Sequence, residues 1–460
     1  MGRMTETRWD QRHERPHAHV VGLSGQGMAG LAQSLAQSGM SVTGSWPVSE
    51  PDACRLRQSG VSIRGGEATS VMPRRTQLLV HGPGVTREHP NRLVATRRRL
   101  AQAGYAEYVR GVTVGRQPLV FLGGRQASVA AAMTGWVLAL SGADPSVLLS
   151  LPCPQLGGSA RVGLGGQVVV DWPDGLSGLQ DLGPFVTVFL PADPAAESAA
   201  ETLCGVRRRS AATPPGATVL TTVGLTVCGG HEPIAATPLS LGGCEGWWGA
   251  DVRDAAGGAR FRVFEGAEFV TEIGLAVPGR RHVISALAAV AACRTVGVAA
   301  SGIRQGLEEF GGLARDFESR GSFRGVTLID DASDDAASIG RAVFQARRQF
   351  GTRRLWALYG GPAQADPDAD TEERRRVASA LAGADRVVLV AGVPGAAADL
   401  AAMLRASGPP LWVVDGREAA VADLDRKLEP GDVLLTLGAG DVGTIADAFI
   451  RRLPRDRPGR

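Results

Sequence analysis

Short apolar runs alternate with amphipathic stretches along most of the 460 residues. The first run, HVV at 19–21, is followed by a glycine-rich turn at 22–30 and by a helical pattern from Leu31 to Ser38. The runs SVTGS at 41–45 and QLLV at 77–80 predict two further strands. Because strands that alternate with helices usually pair in parallel, the pattern predicts an α/β protein with parallel sheets.

The same alternation starts again after a break at 111–118. PLVFLG at 118–123 predicts a strand, and ASVAAAMTGWVLALSG at 127–142 predicts the helix behind it. GQVVVDWPDG and PFVTVFLPAD predict two more buried strands, and HVISALAAVAACRTVG at 282–297 predicts a helix. Residues 211–258 are rich in glycine, proline and threonine and show β-like runs with no clear helix. A third α/β segment begins near RGVTLIDDAS and ends with VLLTLGAGDVGTIADAFIRRL.

The amino-acid composition excludes several classes to which this protein could belong. With 44% hydrophobic and 21% charged residues, the chain is typical of a globular protein. A formal charge of +3 favours neither a nucleic-acid partner nor an anionic membrane surface. No apolar run approaches the ~20 residues that span a membrane, and the polar N-terminus lacks a secretory signal, so we expect a cytoplasmic protein without membrane insertion. Six dispersed cysteines form no zinc or disulfide pattern, so we interpret them as small buried hydrophobic residues.

Two glycine-rich turns follow predicted strands and are candidate anion sites. In the first glycine turn, GLSGQGMAG, backbone N–H groups and a helix N-terminus suit a phosphate, although tight packing explains the same glycines. The acidic residue that holds the ribose in dinucleotide sites is replaced by Trp46. In the second glycine turn, FLGGRQAS at 121–128, no lysine follows the glycine pair. The chain contains a single lysine, Lys427.

The order of these segments resembles the Mur ligase family, and within it the ligases that join L-alanine to UDP-N-acetylmuramate. HVVGLSGQGMAG with VTGS is similar to the family's opening, and LVHGPGVTREHP to the end of its first domain. SGADPSVLLS resembles the segment behind the ATP loop, and PGRRHVISALAAVAA with GLEEFGGLARDFE the end of the central domain. GVTLIDDAS and EPGDVLLTLGAGDV resemble the start and finish of the third domain.

The resemblance implies three domains and ATP-dependent amide-bond formation in peptidoglycan precursor synthesis. We expect a flexible tail at 1–16, a UDP-sugar-binding Rossmann-like domain at 17–112, a central P-loop-like ATPase domain at 113–316 and a Rossmann-like domain at 317–460. The implied cofactors are ATP and Mg²⁺. The implied partner is UDP-N-acetylmuramate or a related UDP-sugar, and cell-wall synthesis proteins are candidate partners.

The resemblance also places candidate binding residues, although it assigns no catalytic residue. The UDP-sugar site falls on Gly22, Gly25, Gln26, Gly27 and Met28. The ATP site falls on Gly123, Gly124, Arg125, Ser128, His282, Arg315 and Asp330, and the metal ligands fall on Asp171 and Asp174.

The sequence departs from the family pattern where charge is needed. Ala127 stands at the lysine position of the ATP loop, Gln126 replaces a glycine, and Asp334 and Asp335 stand at histidine positions of the third domain. Because cations neutralise the transferring phosphoryl group, we expect a catalytically degenerate ligase that acts as a binder or scaffold. The alternatives are a divergent but active ligase and an unrelated binding role on the same fold.

Overall fold

The structure is a computed structural model that divides into two compact units. The first unit takes in the chain up to Gly311 except residues 49–51, and the second unit runs from Gly312 onwards. The described residues are 15–23, 25, 27–45, 50–64, 72–173, 176–190, 218–222, 236–255, 258–277, 281–333, 335–360, 371–391, 396–438 and 442–452.

The first unit begins with a five-stranded parallel sheet. Its strands are β1 His17–Val21, β2 Ser41–Ser45, β3 Val61–Arg64, β4 Leu78–His81 and β5 Ala101–Gly104, and its helices are α1 Met28–Gln37, α2 Glu50–Gln58, α3 Pro90–Arg97 and α4 Tyr105–Thr113. The strands lie in the order β3-β2-β1-β4-β5, and every pair is parallel. The order therefore reverses between β1 and β4, where open α/β sheets bind ligands at the carboxyl ends of their strands.

A ten-stranded sheet forms the rest of the first unit. Its strands are β6 Gln117–Leu122, β7 Ser146–Cys153, β8 Gly158–Arg161, β9 Gln167–Asp171, β10 Val186–Phe189, β11 Thr218–Thr221, β12 Thr237–Leu241, β13 Trp247–Ala255, β14 Gly258–Glu265 and β15 Glu268–Leu275. Their order is β15-β14-β13-β12-β11-β10-β6-β9-β7-β8. Three helices, α5 Arg125–Leu140, α6 Arg281–Thr295 and α7 Ala300–Glu308, pack against one another beside this sheet.

Helix α1 packs closely against the edge of the ten-stranded sheet at a glycine. A Cβ atom on Gly30 would lie 2.7 Å from the Ser159 carbonyl oxygen and 2.8 Å from that of Leu149. Both contacts are with backbone, which cannot move aside, so the close approach of α1 requires a residue without a side chain.

Two glutamines one turn apart on α1 bind the backbone of the edge strand β8. The Gln33 side chain donates to the Gly157 carbonyl over 2.8 Å and accepts from the Ser159 N–H over 2.9 Å. Gln37 donates to the Ala160 carbonyl over 3.1 Å and accepts from the N–H that follows β8 over 2.9 Å. The side-chain amides thus satisfy backbone groups that no further strand reaches, and they join the two sheets into one body.

The second unit is a six-stranded sheet covered on both faces. Its strands are β16 Glu318–Phe323, β17 Val326–Asp331, β18 Leu355–Gly360, β19 Arg386–Ala391, β20 Leu411–Asp415 and β21 Val433–Leu437, in the order β16-β17-β21-β18-β19-β20. Its helices are α8 Ala336–Phe350, α9 Thr371–Leu381, α10 Ala396–Ser407, α11 Gly416–Lys427 and α12 Val442–Arg452. Adjacent residues such as Leu434 and Leu435 belong to different core clusters, because successive side chains point to opposite faces.

The architecture confirms the α/β class with parallel sheets that the apolar runs predicted. Two helices begin earlier than predicted, at Met28 and Arg125. Each follows directly on a glycine with a positive φ, Gly27 at 77° and Gly124 at 80°, which lets the chain enter the helix without an intervening turn. The described parts of 211–258 form strands only, as predicted. The domain boundaries near 112 and 316 stay predictions.

The cysteine interpretation is correct for two residues and wrong for two. Cys153 and Cys293 are buried, and burial raises the pKa of Cys153 to about 11. Cys54 and Cys244 are exposed, because one lies on the outer face of α2 and the other in the turn between β12 and β13. The other two cysteines and most of both chain ends lie outside the described residues.

Across the described ranges, every helix is too short or too polar to cross a membrane.

Two histidines on β1 are buried on one face of the first sheet. The Nδ1 atom of His19 lies 2.8 Å from the Thr43 hydroxyl, and that of His17 lies 3.2 Å from the Thr76 hydroxyl. The Nε2 atom of His19 lies 3.4 Å from the Asn91 side-chain nitrogen. Burial, and then the nearby charge of His17, lower the pKa of His19 to about 4, so this ring is neutral at neutral pH.

We expect His19 to make stability depend on pH in the acidic range. Its folded pKa of about 4 lies below the ordinary 6.5, so the unfolded chain binds the proton more readily. The contribution of His19 to the free energy of unfolding is therefore complete above pH 6.5 and declines as the pH falls toward 4. The loss amounts to about 3 kcal/mol, at ~1.4 kcal/mol per pKa unit. Chemical denaturation across this range should show the loss. A His19→Gln variant with an unchanged pH profile would contradict the assignment.

We expect Gly30→Ala to destabilise the first unit by about 1–3 kcal/mol, because the new methyl group would overlap backbone of the edge strand. Gly111→Ala is the matched control. Gly111 lies in α4 with open space around its Cα, so alanine there should stabilise by about 0.5–1 kcal/mol through helix propensity. Denaturant midpoints of both variants measure the difference, and equal midpoints would show that α1 does not approach β8 this closely.

Candidate functional site

The first glycine turn lies at the carboxyl end of β1, where the strand order reverses. The Gly25 N–H donates to the Gly22 carbonyl over 3.0 Å, and the Met28 N–H donates to the Gly25 carbonyl over 3.0 Å. Gly22 and Gly27 have φ angles of 82° and 77°, which other residues rarely adopt. No side chain caps α1, so its positive end faces the turn. This arrangement suits an anionic group.

The space around the turn also requires glycine. A Cβ atom on Gly22 would lie 2.9 Å from a Val85 methyl carbon, and one on Gly27 would lie 2.7 Å from the Tyr105 ring. The segment that follows β4 and the start of α4 therefore support the turn from behind. The Met28 side chain is fully buried in the core, and Gln26 lies outside the described residues.

Tyr105 belongs to this site although sequence reasoning missed it. Its ring is buried between Gly27 and Trp172, with the two aromatic centroids 5.9 Å apart. Burial, and then the charge of Asp171, raise the pKa of the Tyr105 phenol. Within the described part of the chain its hydroxyl group has no hydrogen-bond partner. The only sequence signal was an aromatic residue directly after a short strand.

The second glycine turn lies at the carboxyl end of β6. Gly123 and Gly124 have φ angles of 113° and 80°, and α5 begins at Arg125. The Ser128 N–H donates to the Gly124 carbonyl over 3.1 Å, and the Ser128 hydroxyl donates to the same oxygen over 3.4 Å. The four predicted residues of this turn therefore lie together. The first helical turn of α5 takes up most of the loop.

The side chain at the position that the resemblance assigns to the ATP-loop lysine points into the protein. Ala127 is fully buried, so the first turn of α5 packs against the core there. The Ser285 hydroxyl of α6 donates to the Gln126 carbonyl over 2.9 Å. His282 is buried one helical turn before Ser285, on the same side of α6. His282 is thus placed at the end of α6 that contacts the second glycine turn.

Asp171 ends the strand next to β6. It is paired in register with Phe121, and its buried carboxylate accepts the Ser150 N–H over 3.0 Å. The carboxylate therefore binds backbone of β7. Asp174 lies outside the described residues. Among those described, no group of three or more histidine, cysteine or acidic side chains is arranged to hold a metal ion.

Arg315 and Asp330 meet inside the second unit. The Arg315 guanidinium lies 3.1 Å from the buried Asp330 carboxylate and donates to the Gly438 carbonyl over 2.6 Å. Thr436 donates to the second oxygen of Asp330 over 2.7 Å. Arg315 holds this pairing with a φ of 55°, a strained value for a residue with a side chain. The two residues predicted to bind a nucleotide thus bind each other.

The aspartate at one position that the resemblance assigns to a histidine has a structural role. Asp335 is the N-cap of α8 and accepts the Ser338 N–H over 2.9 Å. Burial opposes ionisation of this carboxyl group, but the hydrogen bonds from Ser338 outweigh it and lower the pKa of Asp335. Asp334 lies outside the described residues.

The single lysine is engaged within the second unit. Its ammonium group lies 2.5 Å from an Asp423 carboxylate oxygen and 4.3 Å from the centre of the Trp412 ring. An ion pair and a cation–π contact together hold Lys427 at the end of α11.

Comparison with known proteins places this architecture in a family. The model described as Mur ligase family, catalytic domain, matches residues 17–112, and that described as Mur ligase, glutamate ligase domain, matches residues 317–440. The UDP-N-acetylmuramate–L-alanine ligase of Anaeromyxobacter dehalogenans is 28% identical over 463 residues, covering 96% of this chain and 99% of that protein. The ligase of the same name from Nitratidesulfovibrio vulgaris is 26% identical over 450 residues, covering 94% and 98%.

Solved structures share the fold along almost the whole chain. The UDP-N-acetylmuramate-alanine ligase of Thermotoga maritima superposes with a TM-score of 0.78 at 20% identity, covering 95% of this chain and 98% of that one. A murein peptide ligase of Psychrobacter arcticus gives a TM-score of 0.69 at 18% identity, with the same coverage. The chain thus carries an N-terminal and a C-terminal Mur ligase domain, and it is similar to ligases of these names, in sequence and in fold, along almost its whole length.

Proposed function

We propose that this chain is a Mur ligase of the UDP-N-acetylmuramate–L-alanine ligase type. It binds a UDP-sugar at the first glycine turn but has lost efficient use of ATP. It acts as a binder or scaffold in peptidoglycan precursor synthesis. One observation carries the proposal: the position of the family's phosphate-binding lysine holds Ala127, whose side chain is fully buried. The only lysine of the chain is held by Asp423 and Trp412.

The missing charge cannot come from a neighbouring side chain of the second glycine turn. Arg125 is the first residue of α5 and precedes the lysine position, and its planar guanidinium has a different shape and reach from an ammonium group. Removing one partner of a desolvated charge pair costs about 3–5 kcal/mol. At ~1.4 kcal/mol per tenfold, this loss alone lowers the rate of phosphoryl transfer by roughly a thousandfold.

The described residues do not fit a magnesium-ATP site. The Asp171 carboxylate accepts a backbone N–H of β7, and no described cluster supplies three metal ligands. Arg315 and Asp330, which the resemblance assigned to the nucleotide, satisfy each other within the second unit. Magnesium in ATP sites is held by one or two carboxylates together with phosphate oxygens and waters, and the Asp171 oxygen that accepts the Ser150 N–H is directed to the backbone of β7 instead.

The first glycine turn supports retention of UDP-sugar binding. Its left-handed glycines, its position at the strand-order reversal and the uncapped start of α1 are the features that an anion-binding turn needs. None of them depends on a charged side chain, so they remain when the charges of the second turn are lost.

We expect little phosphate release when the protein is mixed with UDP-N-acetylmuramate, alanine, ATP and Mg²⁺. Turnover should stay well below about one per second, the lower range of typical enzymes. A Mur ligase that has the lysine in its ATP loop serves as the positive control in the same assay. Turnover above that rate would overturn the proposed loss and favour a divergent but active ligase.

We expect UDP-N-acetylmuramate to bind without ATP, and Gly27→Ala to abolish this binding. Alanine at Gly27 would strain a φ of 77° and overlap the Tyr105 ring. Gly84→Ala is the matched control, because Gly84 lies in the neighbouring turn with open space around it and should bind as the parent does. Isothermal calorimetry measures binding, and thermal denaturation confirms that both variants are folded. No heat with the parent protein would leave only a scaffold role.

A further inference from the structure

Positive charge is concentrated in the first sheet region. Residues 17–112 contain eleven arginines against five acidic residues, a net charge of +6. The whole chain carries +3, so the remaining residues sum to −3. The small net charge of the protein therefore conceals a strongly basic region.

Five of these arginines, together with Arg15 just before β1, lie at the amino-terminal edge of the first sheet. Leu78 of β4 is paired in register with Ala101 of β5 and with Ala18 of β1, so the segments that enter these three strands lie side by side. The Nη1 atom of Arg98 donates to the Pro73 carbonyl over 3.1 Å, which ties two of these segments together. We name this surface the arginine edge; it consists of Arg15, Arg74, Arg75, Arg97, Arg98 and Arg99.

The arginine edge has no compensating negative charge among the described residues. Five of its members are exposed, and Arg98 is half-buried. None of the six forms an ion pair with a described carboxylate. The described segments at this edge, 15–16, 38–40, 59–60, 72–77 and 97–100, contain no acidic residue. Exposed arginines grouped in this way form a positive surface that attracts an anionic partner.

The chemistry of the edge fits lipid phosphate better than nucleic acid. Guanidinium groups form paired hydrogen bonds with phosphate oxygens. Single-stranded nucleic acid would also need aromatic side chains for base stacking, and the described segments of this edge contain none. Two exposed apolar residues lie nearby instead. Leu93, one turn before Arg97 on α3, is 43% exposed, and Val114, directly after the end of α4, is 76% exposed. Exposed apolar side chains beside basic ones suit the membrane interface.

We propose that the arginine edge binds the phosphate headgroups of an anionic lipid surface. The first glycine turn lies at the carboxyl ends of the same strands, so the ligand turn faces away from the bound surface and stays accessible. The contact is peripheral and electrostatic, and salt weakens it. It is independent of whether the second glycine turn uses ATP.

Co-sedimentation of the full chain with lipid vesicles tests the proposal. At low salt the protein should bind vesicles of phosphatidylglycerol mixed with phosphatidylcholine and should not bind pure phosphatidylcholine vesicles. The test variant replaces the four exposed arginines before β4 and β5 by serine: Arg74, Arg75, Arg97 and Arg99. Because each arginine near an anionic surface contributes roughly 1 kcal/mol, the variant should bind at least about tenfold more weakly.

The control variant carries the same change in net charge elsewhere. It replaces four exposed arginines outside this edge by serine, namely Arg304, Arg405, Arg417 and Arg451, and should bind anionic vesicles within about twofold of the parent. Thermal denaturation checks that both variants fold, and UDP-N-acetylmuramate calorimetry checks that the ligand turn is unchanged. Absence of binding to anionic vesicles, equal loss in both variants, or tighter binding of the edge to an oligonucleotide at the same salt would overturn the proposal.

Discussion

The chain must pass from the end of a buried parallel strand into a helix within a few residues, and left-handed glycines make this possible. Gly22 and Gly27 do so after β1, and Gly123 and Gly124 do so after β6. At Gly22 and Gly27, neighbouring side chains also leave no room for a Cβ atom. Both helix N-termini are thereby placed at the ligand edge by backbone geometry alone. The architecture of a ligand site can consequently persist whatever side chains occupy the turn.

Three polar residues that the resemblance placed at or near binding positions make contacts within the fold. Asp171 binds the backbone of a neighbouring strand, Asp335 caps a helix, and Arg315 neutralises Asp330. Breaking the buried pair of Arg315 and Asp330 would leave an unpaired buried charge, so the second unit depends on this pair for its stability. A carboxylate or guanidinium retained in sequence is therefore weak evidence for a retained ligand in this protein.

The sequence was most informative where structure is periodic. Apolar runs located the main strands, and the glycine clusters marked both turns, because these signals are local. The packing of Tyr105 on Gly27, the amide bonds of Gln33 and the grouping of the arginine edge were not predictable. Each joins segments that the chain brings together only after folding, and a local pattern carries no information about register between distant segments. The early start of α5 was missed because a helical pattern does not reveal how closely a left-handed glycine can precede it.

The outermost strand of the ten-stranded sheet is covered by the glutamines of α1. An uncovered strand at such a position can recruit an extended peptide or a second molecule through its backbone. Here the amide side chains imitate the next strand and occupy those groups. The β8 edge is thereby protected against aggregation by strand addition. A partner that adds a strand to this protein would have to do so at a different sheet edge.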